Sequence, residues 1–145
     1  MKRLFYLLAF AVSIATAATP VFAQQSGNLR VEFQGPGGHS SGAYGRVSAL
    51  HAAARAVILI QKALPAGSYQ ITNLTGGNSV NSIASDGLIE LKVTARNAAA
   101  YKELVAAVTK AAAEGAAAEN AFRGVKPGDL TAGAPATVRS KVTPF

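Results

Sequence analysis

The sequence predicts an α+β fold: a ferredoxin-like two-layer sandwich, with a four-stranded antiparallel sheet carrying both helices on one face. Three observations support it. Residues 29–34, 68–74 and 89–96 alternate apolar and polar side chains with a period of two, the signature of half-buried strands. Residues 48–64 and 97–112 repeat apolar or small side chains at spacings of three and four, as helices do. The order strand, helix, strand, strand, helix, last strand makes two right-handed strand-helix-strand units sharing one sheet.

In the first strand Leu29, Val31 and Phe33 alternate with Arg30, Glu32 and Gln34. A glycine-rich loop comes next, and Ser48 is placed to cap the first helix. Leu50, Ala54, Val57, Gln61 and Leu64 recur at helical spacing until Pro65-Ala66-Gly67 stops the pattern. Ala49, Ala52, Ala53 and Ala56 would let this helix lie close to a sheet or to a second copy of itself. The second strand sets Tyr69, Ile71 and Asn73 against Gln70, Thr72 and Leu74, with its inward side left open by the pattern. After the polar loop 75–82 and the Asp86-Gly87 turn, Ile89, Leu91, Val93 and Ala95 form the third strand. Asn97 then caps a second helix whose stripe of Tyr101, Leu104, Val105, Val108 and Ala112 is expected to fade through the alanine-rich run after it. Residues 120–136 read as a loop-rich connector, and 137–143, with Val138 and Val142, as the last strand.

The chain has 145 residues, half of them hydrophobic, enough for one domain with its own core. Its beginning is of another kind. Lys2 and Arg3 precede an apolar run from Leu4 to Ala15, and Val21-Phe22-Ala23 has the small residues of a cleavage site, so 1–23 is expected to be a secretory signal peptide. The apolar run is too short for a retained span, and Pro20 breaks the stretch beyond it. Cleavage would leave a polar leader at 24–28, a single domain at 29–145 and no membrane span, in a periplasmic or secreted protein.

Fourteen Lys and Arg against seven Asp and Glu give a net charge of +7, of which Lys2 and Arg3 would leave with the signal. The remaining cations are scattered singly rather than clustered, which argues against a nucleic-acid partner. With no cysteine, the fold rests on its core alone and thiol chemistry is excluded.

The unusual chemistry is concentrated in residues 34–55. Gly35, Gly37, Gly38 and Gly42 allow close backbone approach, and His39 is the side chain there that titrates near neutral pH. His51 and Arg55 share one helix face, four residues apart. Ser40, Ser41 and Ser79 lie in no recognisable nucleophile elbow. The chain has only two histidines, which could supply at most two of the three protein ligands a catalytic zinc wants. No metal or other cofactor is expected.

Four stretches taken together resemble a known family. They are Gly37-Gly38-His39-Ser40-Ser41-Gly42, the run from Ser48 to Ala56, Gly76-Gly77-Asn78-Ser79-Val80-Asn81-Ser82-Ile83-Ala84, and Val93-Thr94-Ala95-Arg96. In that order they are similar to the lid, or dimerisation, domain of the zinc metallopeptidases that include aminoacylases, acetylornithine deacetylases, succinyl-diaminopimelate desuccinylases, dipeptidases, tripeptidases and glutamate carboxypeptidases. The resemblance spans roughly residues 29–118. It implies a ferredoxin-like insert whose copies pair edge to edge and helix to helix, and a histidine, here His39, that reaches the partner subunit's active site. It also implies that Asn81 and Arg96 hold a substrate carboxylate or amide, with Gly37, Gly38, Gly76 and Gly77 shaping the two loops. Thr94 stands where the family often has an aspartate, which removes a support for the arginine.

The catalytic half that the resemblance calls for has no counterpart here. The chain contains no His-x-Asp pair and no adjacent acidic pair. The expectation is an exported, non-catalytic dimerisation domain that self-associates through its first helix and second strand. It would bind a small anionic or peptide-like ligand at His39, Asn81 and Arg96, or meet a full-length zinc peptidase relative. The competing expectation is a split piece of such a peptidase, with its catalytic domain on another chain. Each candidate residue also has a plainer role: His39 could bond its own loop, Asn78 and Asn81 could cap a turn, and Arg96 could pair with Glu90 or Asp86 on the surface.

Overall fold

In the first strand the alternation of Leu29, Val31 and Phe33 against polar neighbours places all three in the core, each at most 2% exposed in the computed structural model, which describes residues 23–145. The expected signal peptide lies outside the described residues apart from Ala23. Strand β1 spans Gln25–Gln34, so the polar leader expected at 24–28 is strand from Gln25 onward. Its extra length is fixed by pairing, since Gln25 lies opposite Ala95 and Asn28 opposite Lys92.

The remaining elements are β2 (Gly38–His39), α1 (Ser40–Ala43), α2 (Ala49–Ala63), β3 (Tyr69–Thr75), β4 (Ser82–Ile83), β5 (Asp86–Ala95), α3 (Ala98–Phe122), β6 (Leu130–Thr131), β7 (Ala134–Pro135) and β8 (Arg139–Pro144). The main sheet has the order β3-β5-β1-β8 with every pair antiparallel. This is the ferredoxin-like α+β sandwich that the element order implies, with β3 and β8 at its edges. Strands β2 and β4 form a separate two-residue ribbon beside the sheet.

Both helices cover the face that carries Leu29, Val31, Phe33, Ile89, Leu91 and Val93. Ser48 caps α2 by accepting the His51 N–H at 3.3 Å, and Asn97 caps α3 by accepting the Ala100 N–H at 2.8 Å. In α2 the buried residues are Ala49, Ala52, Ala53, Ala56 and Ile60. The repeat through Leu50, Ala54, Val57 and Gln61 therefore lies beside the core stripe, half-buried or exposed, and only its last member, Leu64, is buried. Small side chains win the inner position because α3 comes too close for larger ones. A Cβ on Gly115 of α3 would sit 2.8 Å from the Ala52 carbonyl and from the Ala56 N and Cβ atoms. The alanine face is thus used within the chain and is not left free for a second copy.

Helix α3 does not fade through its alanines. It runs 25 residues, and Ala111, Ala112, Gly115, Ala116 and Glu119 continue its buried stripe. The connector consequently starts only after Phe122. Asn120 pins its return, accepting the Val138 N–H at 2.8 Å and donating to the Val138 carbonyl at 2.9 Å. The side-chain amide thereby stands in for a ladder partner at the entrance to the last strand.

In β3 the register shifts between Ile71 and Asn73, a bulge at Thr72 whose hydroxyl donates to the Glu90 carbonyl at 3.1 Å. A bulge inserts one residue and reverses the alternation beyond it. Tyr69 and Ile71 pack on the core, but Asn73 pairs with Glu90 on the opposite face and Leu74 lies opposite Ile89. The expected grouping of Asn73 with Tyr69 and Ile71 is corrected accordingly.

Candidate functional site

The glycine loop and the polar loop 75–82 meet through the β2–β4 ribbon. Gly38 pairs with Ile83 and His39 with Ser82, and the Ser40 N–H extends the contact by donating to the Asn81 carbonyl at 2.9 Å. Gly37, Gly38 and Gly77 take φ values of +63°, +141° and +73°, while a Cβ on Gly76 would stand 2.6 Å from the Asp86 carbonyl oxygen. Conformation at the first three and space at the fourth account for the glycines.

The ribbon sets two exposed side chains together. Asn81 Nδ2 lies 3.1 Å from His39 Nε2, and His39 Nδ1 lies 2.7 Å from Ser41 Oγ. Nδ1 also accepts the Ser41 N–H at 3.3 Å, which makes His39 the cap of α1. Ser79 Oγ in turn donates to Asn81 Oδ1. The plainer role for His39 is therefore realised within the chain, with the ring still exposed at the surface.

Arg96 is elsewhere. It stands just past the far end of β5, beside a shallow cavity shared with Gln24, Ser68 and Thr94. The ribbon adjoins the other end of that strand, where the Gly35 N–H donates to the Ser85 carbonyl at 2.8 Å. Ten residues of strand separate the two ends, about 30 Å at 3.3 Å per residue. One chain thus brings His39 and Asn81 together but not Arg96. Glu90 is held by Arg30, at 2.9 Å, and by Asn73 rather than by Arg96. The Arg30 hydrogen bond, with help from Asn73, keeps the Glu90 carboxyl below its usual range.

No sequence motif singles out Glu119, yet it is the most connected charge in the fold. Its side chain is 0% exposed, accepts from Arg55 at 3.1 Å, from Arg123 at 3.3 Å and from the buried Ser48 N–H at 3.1 Å, and has His51 Nδ1 at 3.8 Å. One carboxylate thereby ties the end of α3 to the start of α2, just after the His39 loop. The guanidinium groups of Arg55 and Arg123 also stack on Phe122, at 5.0 and 4.9 Å from the ring centre. A signal was present, because the buried positions of α3 recur at three and four and the next step after Ala112, Gly115 and Ala116 is Glu119. His51 and Arg55 belong to this hub.

Among the described residues no group of three or more His, Cys, Asp or Glu could hold a metal ion. His39 is engaged with Asn81 and Ser41, and His51 faces Glu119. The zinc chemistry implied by the resemblance does not fit these residues.

The sequence profile of a family described as peptidase dimerisation domain matches residues 24–120. No curated protein sequence matches the chain. Among solved structures, an aminobenzoyl-glutamate utilization protein from Klebsiella pneumoniae is similar with a TM-score of 0.61 at 15% identity, over 88% of this chain and 31% of that one. A tripeptidase from Staphylococcus aureus is similar with a TM-score of 0.61 at 18% identity, over 86% and 30%. An amidase of the hydantoinase/carbamoylase family from Burkholderia multivorans is similar with a TM-score of 0.60 at 18% identity, over 85% and 28%. At these identities the likeness is one of fold, and the chain spans less than a third of the length of each.

Proposed function

Since the chain belongs to the peptidase dimerisation domain family, we propose that it is an exported module that acts by self-association and carries out no hydrolysis by itself. The contrast between its two sheet edges carries this reading. β8 is blunted by Arg139, Lys141 and Pro144, whereas β3, reading YQITNLT, bears no charge and no proline along its whole length. Charge and proline are what keep an edge from pairing, and β3 has neither. Beside it α2 turns outward the flank left unused by the core, where Leu50 and Val57 are half-buried and Ile58 is 51% exposed.

A two-fold dimer pairs one patch with itself. Antiparallel contact between two β3 edges sets the His39 end of one copy beside the Arg96 end of the other. The trio that one chain holds about 30 Å apart would then form two sites shared across the dimer. An imidazole, an amide and a guanidinium suit a carboxylate or peptide-like group there. The export half of the proposal rests on the charged start, apolar run and small-residue cleavage pattern of 1–23.

The enzymatic alternative, a split zinc peptidase, draws its support from the solved relatives, which include a tripeptidase and an amidase. It needs the metal ligands on another polypeptide segment. Light scattering on wild type and Thr72→Lys, a charge at an exposed position in the middle of β3, together with a zinc-supplemented hydrolysis assay on dipeptides and N-acyl amino acids, tests the proposal. Two-chain mass lost in Thr72→Lys, with no turnover, is expected. A single-chain mass at high micromolar concentration, or zinc-dependent turnover, would refute it.

A further inference from the structure

A cavity of about 450 Å³ opens between the α1 loop, the start of α2 and the 76–84 loop. Its basic lining residues are Arg46, His51 and Arg123, and it has no acidic lining residue. Its walls include the apolar Leu50, Ile83 and Ala84. Glu119, the nearby counter-charge, is fully buried and already shared between Arg55 and Arg123. Arg46 spends one guanidinium N–H on the Gly37 carbonyl, at 3.4 Å, and a guanidinium has five.

We infer that this cavity is a binding site for a small organic anion, a carboxylate with an apolar tail. The carboxylate is held by Arg46 and Arg123 near His51, and the tail lies against Leu50 and Ile83. The cavity is within the size range of small-molecule sites, and its lining combines two arginines with apolar side chains, which is what such a molecule needs. Arg46, His51 and Arg123 are not among His39, Asn81 and Arg96, and the site lies within one chain, so it does not depend on self-association.

Isothermal titration of the purified protein with N-acetyl-leucine, its uncharged amide and inorganic phosphate tests the inference. The acid is expected to bind, and both the amide and phosphate to bind at least about tenfold more weakly. Arg46→Gln should weaken the acid by about tenfold, through loss of a charge-assisted pair. Val80→Glu, at a fully exposed cavity residue, should weaken it without disturbing packing and so guards against a folding artefact in the arginine variant. Thr72→Lys, at an exposed β3 position outside the cavity lining, should leave the affinity unchanged, which separates failure of this site from failure of the dimer. No binding of the acid at about 10 mM, equal binding of acid and amide, phosphate binding as tight as the acid, or an affinity unmoved by both Arg46→Gln and Val80→Glu would overturn it.

Discussion

Removing the Glu119 carboxylate should loosen the junction between the two helices more than any surface charge change. In Glu119→Ala the buried Ser48 N–H loses its acceptor, which costs about 1–3 kcal/mol. Arg55 and Arg123 lose their shared partner, but their side chains are 38% and 25% exposed, so water compensates them in part. The variant also escapes the desolvation cost of a buried carboxylate. Balancing these effects places the loss at about 3 kcal/mol, the lower end for breaking a buried pair. For a domain of this size that corresponds to a fall in Tm of roughly 10 °C. Glu119→Gln keeps an acceptor for Ser48 and nearly the same volume, and should cost about half as much. Urea and thermal unfolding followed by circular dichroism measure both. If Glu119→Ala lies within about 0.5 kcal/mol of wild type, the hub is an unimportant surface cluster and the reasoning fails.

Two further outcomes rest on the packing and the charges. Gly115→Ala should destabilise by about 2 kcal/mol, because its methyl group would overlap the Ala52 and Ala56 backbone at 2.8 Å and force the helices apart; unfolding midpoints check this. Glu90 has its carboxyl held below the ordinary value by Arg30 and Asn73. Its stabilising contribution is therefore present above the ordinary carboxylate range near 4.5 and is lost as pH falls through the lower folded value. Glu90→Gln should lose stability at neutral pH and show a shallower decline on the acid side, which a pH series of urea midpoints would reveal.

The sheet was legible in the sequence because its signals are local. Period-two alternation at Leu29, Val31 and Phe33 and at Ile89, Leu91 and Val93, together with the caps Ser48 and Asn97, marks strands and helix starts directly. The features that escaped depend on a partner element. Which stripe of α2 faces inward is decided by the approach of α3 at Gly115, so the larger residues Leu50 and Val57 misled. The bulge at Thr72 is decided by β5. Glu119 read as part of an alanine-rich tail because its role requires Arg55 from another helix. Of the candidate site, the pairing of His39 with Asn81 comes from two glycine loops meeting, whereas the position of Arg96 at the opposite end of the sheet is a matter of strand length that no local motif contains.

The central claim is that two copies pair along β3 and bring opposite ends of their sheets together. The chain has no cysteine, so single cysteines can replace His39 in one preparation and Arg96 in another, each carrying a spin label. Mixed in equal amounts, the two should give an intermolecular distance well below the separation of about 30 Å expected within one chain, and the signal should vanish in a Thr72→Lys background. A mixture with no intermolecular distance, or with a short one that survives Thr72→Lys, would contradict edge pairing through β3.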